Sequence, residues 1–217
     1  MKRISILIFF AILSASCATG PTGSQRATAQ NTKPEGGYLV VQRDFIVCEL
    51  EAFITLTAAR SAITFNASKE SLLSAKKTGE FQIGMINELF ERVETEDFKN
   101  YPKFAAEKFY QCTERKALPI TKRMDAASLC LARQDIGFYL LALKRKGRTQ
   151  AESSDMVKKM YEKNPEGLFP DKLIDATANM VFQSTNTDED YFRLRKLSFE
   201  TCLFPEEWKA WWNSQER

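Results

Sequence analysis

Between Asp125 and Gly147, apolar side chains recur at three- and four-residue steps: Leu129, Ala132, Ile136, Tyr139, Leu140 and Leu143 form one stripe, and Cys130, Phe138 and Leu141 widen it. A stripe of that period predicts a helix, and its width predicts contact on several sides, so this segment is expected to be the central helix. Lys144, Arg145 and Lys146 crowd its last turn, where cations complement the negative end of the helix dipole. Gly147 follows and can take the left-handed conformation that ends helices.

Helical spacing recurs on both sides of this segment. Phe45, Ile46, Cys48, Phe53, Leu56 and Ile63 supply apolar faces for a helix over 42–65. A second helix fits Ser68–Thr78, closed by Gly79, and a third fits Phe81–Val93 through Ile83, Ile86, Leu89 and Phe90. Thr95 opens a fourth running to Arg115, with Phe104, Phe109 and Cys112 inward and Pro102 in or near its first turn, the place where a helix tolerates proline. Lys116–Lys122, with Pro119, breaks the pattern and predicts a boundary. Beyond the central helix, Thr149-Gln150-Ala151-Glu152 is a capping box for a helix to Lys163, and Pro165, Gly167 and Pro170 punctuate a loop. Asp171 is placed to cap a helix to Phe182, Thr187 or Asp188 one to Phe204 ended by Pro205, and Glu206–Ser214 makes a last short helix. The fold class expected is all-α.

The two halves of this helical region resemble each other. Cys48–Phe81 and Cys130–Lys163 align without a gap, with identities at Cys48/Cys130, Ile54/Ile136, Glu70/Glu152, Ser71/Ser153, Lys76/Lys158, Lys77/Lys159 and Glu80/Glu162. With Asn164–Asp171 taken as an insertion, Ile83–Cys112 and Leu173–Cys202 also align, matching Thr95/Thr185, Tyr101/Tyr191, Phe109/Phe199 and Cys112/Cys202. The insertion coincides with the Pro/Gly loop, where added length costs little. The expected organisation is therefore two tandem, duplicated four-helix units, 38–118 and 119–205, followed by a Trp-rich C-terminal helix over 206–217.

The N-terminus has a different grammar. Lys2 and Arg3 precede the apolar run Ile4–Leu13 and the small residues Ser14, Ala15 and Ser16, the three-part pattern of an export signal too short to span a bilayer. Leu13-Ser14-Ala15-Ser16-Cys17 resembles the lipobox of bacterial lipoprotein precursors, with Leu13 four residues before the cysteine where that family usually has it three before. The resemblance implies that residues 1–17 form a signal and lipobox segment and that Cys17 becomes the lipid-bearing residue; the alternative is an ordinary signal peptidase cut after Ser16 or Ala18. Ala18–Gly37, rich in Gly, Pro, Thr and Gln, is expected to be a disordered tether. Setting Cys17 aside leaves Cys48, Cys112, Cys130 and Cys202, an even number without a C-x-x-C pair, which in an oxidising compartment favours disulfides over zinc or redox chemistry. Three pairings are possible. The repeat selects Cys48–Cys112 and Cys130–Cys202, each joining the first helix of a unit to its last.

Composition narrows the function. With 44% hydrophobic residues the chain can build a real core, and Lys plus Arg at 31 against 28 Asp plus Glu gives no field that would steer it to nucleic acid. The absence of histidine removes Ser-His and Cys-His nucleophile pairs and imidazole metal ligands. No catalytic, metal or cofactor motif is present, so the chain reads as a binding protein rather than an enzyme. A paired-carboxylate hydrolase would need the acidic clusters Glu94–Asp97 and Asp188–Asp190 to converge, whereas dipole stabilisation at two matching helix starts accounts for them. Trp208, Trp211 and Trp212 can share one helix face, either covering the core or anchoring a partner or the membrane interface. Tyr101 and Tyr191 are expected to pack against neighbouring helices, and Lys144, Arg145, Lys146 and Arg148 to complement a helix end in solvent, with phosphate binding the alternative.

Met160–Phe182, with the run Lys163-Asn164-Pro165-Glu166 between two helical stretches, resembles the helix, Asn/His-Pro-Glu loop and helix of small disulfide-bearing periplasmic immunity proteins that guard against type VI amidase effectors. That resemblance covers this hairpin alone and implies an all-helical inhibitor module; the tether and the duplicated unit depart from the family. The expected function is that of an exported binding or accessory protein of the bacterial envelope, facing the periplasm, held at the outer membrane through lipidated Cys17 and bound to a protein partner. The alternatives are a soluble periplasmic form and an immunity protein or inhibitor.

Overall fold

The computed structural model describes residues 43–74, 79–95, 98–162, 169–183 and 199–206. These residues form eight helices and no strand: α1 (Arg43–Phe65), α2 (Lys69–Leu73), α3 (Glu80–Thr95), α4 (Tyr101–Arg115), α5 (Met124–Arg145), α6 (Gln150–Tyr161), α7 (Asp171–Gln183) and α8 (Thr201–Leu203).

The central position of α5 follows from its all-round apolarity. It packs against α1, α4, α6, α7 and α8, while α1 lies along α4 and also meets α3. By length and composition α5 could cross a membrane, yet 61% of its apolar window is buried by other helices, the environment of a core helix. Within the expected stripe Ala132, Ile136 and Leu140 are buried, as are Cys130, Phe138 and Leu141. Leu129 is the exception at 50% exposed, because it lies on the outer side of the helix near its N-terminal end. Ile83 of α3 is likewise turned to solvent at 42%.

Local chemistry sets most helix ends. Gly147 has φ +75° and follows α5 as expected; the Arg148 N–H then donates to Leu143 O, satisfying a last-turn carbonyl. The same left-handed turn ends α4, but there Ala117 adopts φ +51° and Leu118 N–H donates to Thr113 O, so the motif carries no glycine to announce it. The capping box at Thr149 is formed: its hydroxyl accepts from Glu152 N–H, and Glu152 returns the bond by accepting from Thr149 N–H at 2.9 Å.

Three expected boundaries move. Thr95 does not open a helix; it closes α3, its hydroxyl donating to Glu91 O, and α4 starts six residues later with Asn100 as cap and Pro102 in the first turn. Glu94 accordingly lies in the last turn of α3 and not at a helix start, while 96–97 and 188–190 lie outside the described residues. The helix begun by Ser68 is shorter than expected, ending at Leu73, and Gly79 stands just before α3, donating its N–H to Gln82 Oε1 at 2.7 Å. The end predicted at Pro205 arrives at Leu203, with Phe204 already out of helical geometry.

Both disulfides join the expected partners. Cys48 of α1 is bonded to Cys112 of α4, and Cys130 of α5 to Cys202 of α8. The two halves nevertheless share one hydrophobic cluster, in which Phe45, Leu56, Phe104 and Phe109 continue into Ile136, Leu140, Val181 and Phe199. Rings interlock across the divide: Phe109 meets Phe199 edge to face at 5.1 Å, Phe45 meets Phe204 at 5.9 Å, and Phe53 meets Phe138 at 4.9 Å. The 116–123 segment is a loop, but the core runs past it.

Candidate functional site

The most unusual chemistry lies at the meeting point of the two halves. Asp135 sits in the middle of α5 and is 1% exposed. A carboxylate there is tolerable only if its charge is paired and its lone pairs are filled. Arg60, from the C-terminal part of α1, supplies the charge, with its guanidinium against Asp135 Oδ1. Tyr101, the first residue of α4, donates its hydroxyl to Oδ2 at 2.9 Å, and Tyr161, the last residue of α6, donates to the same oxygen at 2.6 Å. Four helices thus converge on one carboxylate.

Aromatic rings seal the cluster. Phe169 stacks on Tyr161 at 3.9 Å and lies 5.6 Å from Tyr101, and the Arg60 guanidinium rests over the Tyr139 ring at 4.8 Å. Cation–π and stacking contacts of this kind strengthen in a desolvated setting. Burial works against the Arg60 charge, but attraction to Asp135, with smaller contributions from Tyr139, Tyr161 and Tyr101, outweighs it and holds the guanidinium protonated beyond its ordinary range. Burial, reinforced by the negative charge of Asp135, pushes Tyr101 and Tyr161 well above the usual tyrosine value. Tyr139 is pushed up to about 12, chiefly by burial.

This arrangement predicts alkaline behaviour. The tyrosines stay neutral in the fold at pH values where an unfolded chain ionises them, near 10. Their contribution to stability is whole below that pH and is lost as pH rises towards 12 and beyond, because the unfolded chain then binds fewer protons than the fold. The share of tyrosinate absorbance due to Tyr101, Tyr139 and Tyr161, three of the six tyrosines, is expected to lag and then rise together with loss of helical circular dichroism. Titration of all six near pH 10 with the helices intact would contradict the geometry.

The cluster is built to hold rather than to react. Each oxygen of Asp135 is occupied by a neighbour and the group has almost no access to solvent, so a substrate would have to displace a buried ion pair to reach it. Among the described residues no three His, Cys, Asp or Glu side chains are grouped as metal ligands. No motif or spacing in the sequence marks the partners of Tyr101, which are Arg60, Asp135 and Tyr161. The trace they left is visible afterwards, since Asp135 interrupts the apolar core stripe between Cys130 and Ile136, and Arg60 is the only charge between Glu51 and Lys69.

The remaining candidates have plainer settings. Lys144 Nζ donates to Val181 O at 2.8 Å in the last turn of α7, and Arg148 pairs with Glu152 at 3.8 Å, so two members of the basic run are engaged at helix ends. Trp208, Trp211, Trp212, Tyr191 and Cys17 lie outside the described residues, as does the Asn164-Pro165-Glu166 loop. No protein-family model matches the chain, and neither does a curated protein or a solved structure.

Proposed function

We propose that the chain is an exported, non-catalytic helical binding protein of the bacterial envelope, built from two duplicated four-helix units and anchored through lipid on Cys17, with a protein partner at the membrane surface. The observation that carries this reading is the pair of bridges, Cys48–Cys112 and Cys130–Cys202, in a chain that opens with an export-like segment. Structural disulfides form and persist outside the reducing cytosol. The duplication draws support from two places. Each bridge joins corresponding helices of the two halves, and the aligned residues Phe109 and Phe199 meet each other in the core, as residues near a pseudo-twofold axis would. The commitment of Asp135 to Arg60 and two tyrosines favours binding over catalysis.

The anchor is tested by fractionating cells that express the full chain and the Cys17→Ser variant, with mass spectrometry of the N-terminal peptide. The full chain is expected in the membrane fraction with acylated Cys17 at its new N-terminus, and the variant is expected to be lost from that fraction. An unmodified Cys17 within an intact N-terminal peptide would overturn the anchor. Detergent-solubilised full chain, crosslinked before capture, should carry the same envelope protein with and without salt washing.

A further inference from the structure

The two disulfides differ in what surrounds them. Cys48 and Cys112 are both wholly buried, within a long contact between α1 and α4. In the second bridge Cys130 is 1% exposed, but Cys202 is only partly buried. Thiol–disulfide exchange requires a thiolate to reach one sulfur in line with the bond, so access decides which bridge opens first. We propose that Cys130–Cys202 is a reducible latch on the segment 199–206, and that Cys48–Cys112 is a permanent staple.

The segment held by the latch runs through α8 and the helical residues 199–200 just before it. Besides the bridge it is tied by Arg123, whose Nη2 donates to Leu203 O at 2.7 Å and whose guanidinium lies 5.6 Å from the Phe204 ring centre. Phe199 and Phe204 plug the core against Phe109 and Phe45. Opening the bridge removes the covalent tie of this segment to α5 and lets those two rings withdraw, uncovering Phe45 and Phe109, which are otherwise fully buried. Opening the other bridge would leave helices of 23 and 15 residues still packed along their length.

The chemistry requires an external dithiol. One thiolate of the dithiol attacks Cys202 Sγ, the Cys130–Cys202 bond breaks, and its electron pair leaves on Cys130 Sγ, which takes up a proton. The second thiolate of the dithiol attacks the mixed disulfide, releasing Cys202 as a thiolate that is then protonated. The dithiol departs as a cyclic disulfide, so two electrons pass from it to the protein.

The test is graded dithiothreitol on the native full chain, quenched with iodoacetamide and mapped by mass spectrometry, with amide hydrogen exchange on the same samples. Cys130 and Cys202 are expected to become alkylated on the order of tenfold faster than Cys48 and Cys112. Exchange should rise across 199–206 and in the turns bearing Phe45 and Phe109, while the rest of α1 and α4 keeps its protection. A Cys130→Ala/Cys202→Ala variant should show that exchange pattern without reductant. Simultaneous opening of both bridges, earlier opening of Cys48–Cys112, or unchanged exchange in 199–206 after Cys130–Cys202 has opened would each overturn the latch. The reductant series on unaltered protein decides the matter even if the variant does not fold.

Discussion

Asp135→Ala is expected to destabilise the protein by about 3–5 kcal/mol, the loss seen when one member of a buried ion pair is removed. The reason lies in what remains. Arg60, with its side chain only 11% exposed, keeps a charge that has lost its counterion, and the hydroxyls of Tyr101 and Tyr161 lose their shared acceptor. Orphaned buried donors cost more than the net value of the bonds they made. Guanidinium unfolding of the oxidised protein, followed by helical circular dichroism, measures the loss. Asp135→Asn keeps the shape but not the charge and should fall between wild type and Asp135→Ala. The pair Arg60→Met with Asp135→Leu removes both charges together, and its loss should be smaller than the sum of the single losses. A loss below about 1 kcal/mol for Asp135→Ala would mean that water reaches the site and screens it, against the burial described.

Removing the Cys48–Cys112 bridge as Cys48→Ala/Cys112→Ala is expected to cost about 4 kcal/mol, from the chain-entropy relation for a loop of this length. The loop spans a sequence separation of 64 residues, so the unfolded chain gains considerable freedom when it is released. For a chain of this size each kcal/mol moves the melting temperature by about 2–4 °C, which sets the expected drop at about 8–16 °C in a calorimetric scan. A change of less than about 1 kcal/mol would show that residual contacts between the α1 and α4 stretches already restrict the unfolded ensemble, or that the bridge strains the fold. The second bridge closes a comparable loop, with a separation of 72, and the same relation treats the two alike. What distinguishes them is the native state: Cys48 and Cys112 are wholly buried within a long helix pair, whereas Cys202 is only partly buried.

Much of the helix layout was legible because its causes are local. The stripe on α5, the capping box at Thr149, the left-handed Gly147 and the first-turn Pro102 each act within a few residues, and each stands where the pattern placed it. Helix boundaries shift where two local cues compete. Thr95 and Asn100 are both plausible caps, and Thr95 instead spends its hydroxyl on the carbonyl of its own helix. The end of α4 at Arg115 is marked by the Lys116–Lys122 break with Pro119, although the left-handed residue there is Ala117 and not a glycine. Spacing puts Leu129 and Ile83 on an inner face, but it assigns a face without saying whether a neighbour covers that end of the helix.

From the chain alone came the helical class, the central helix and the cysteine pairing now seen in both bridges. Only the packed molecule decided that the halves share one core and that Arg60, Tyr101, Asp135 and Tyr161, spread over more than a hundred residues, meet at a single carboxylate. Periodicity is a property of neighbours along a helix, so it can be read from order. The partner of a buried charge is chosen by which helices touch, and that choice is made by the summed burial of the whole core, which no short stretch of sequence contains.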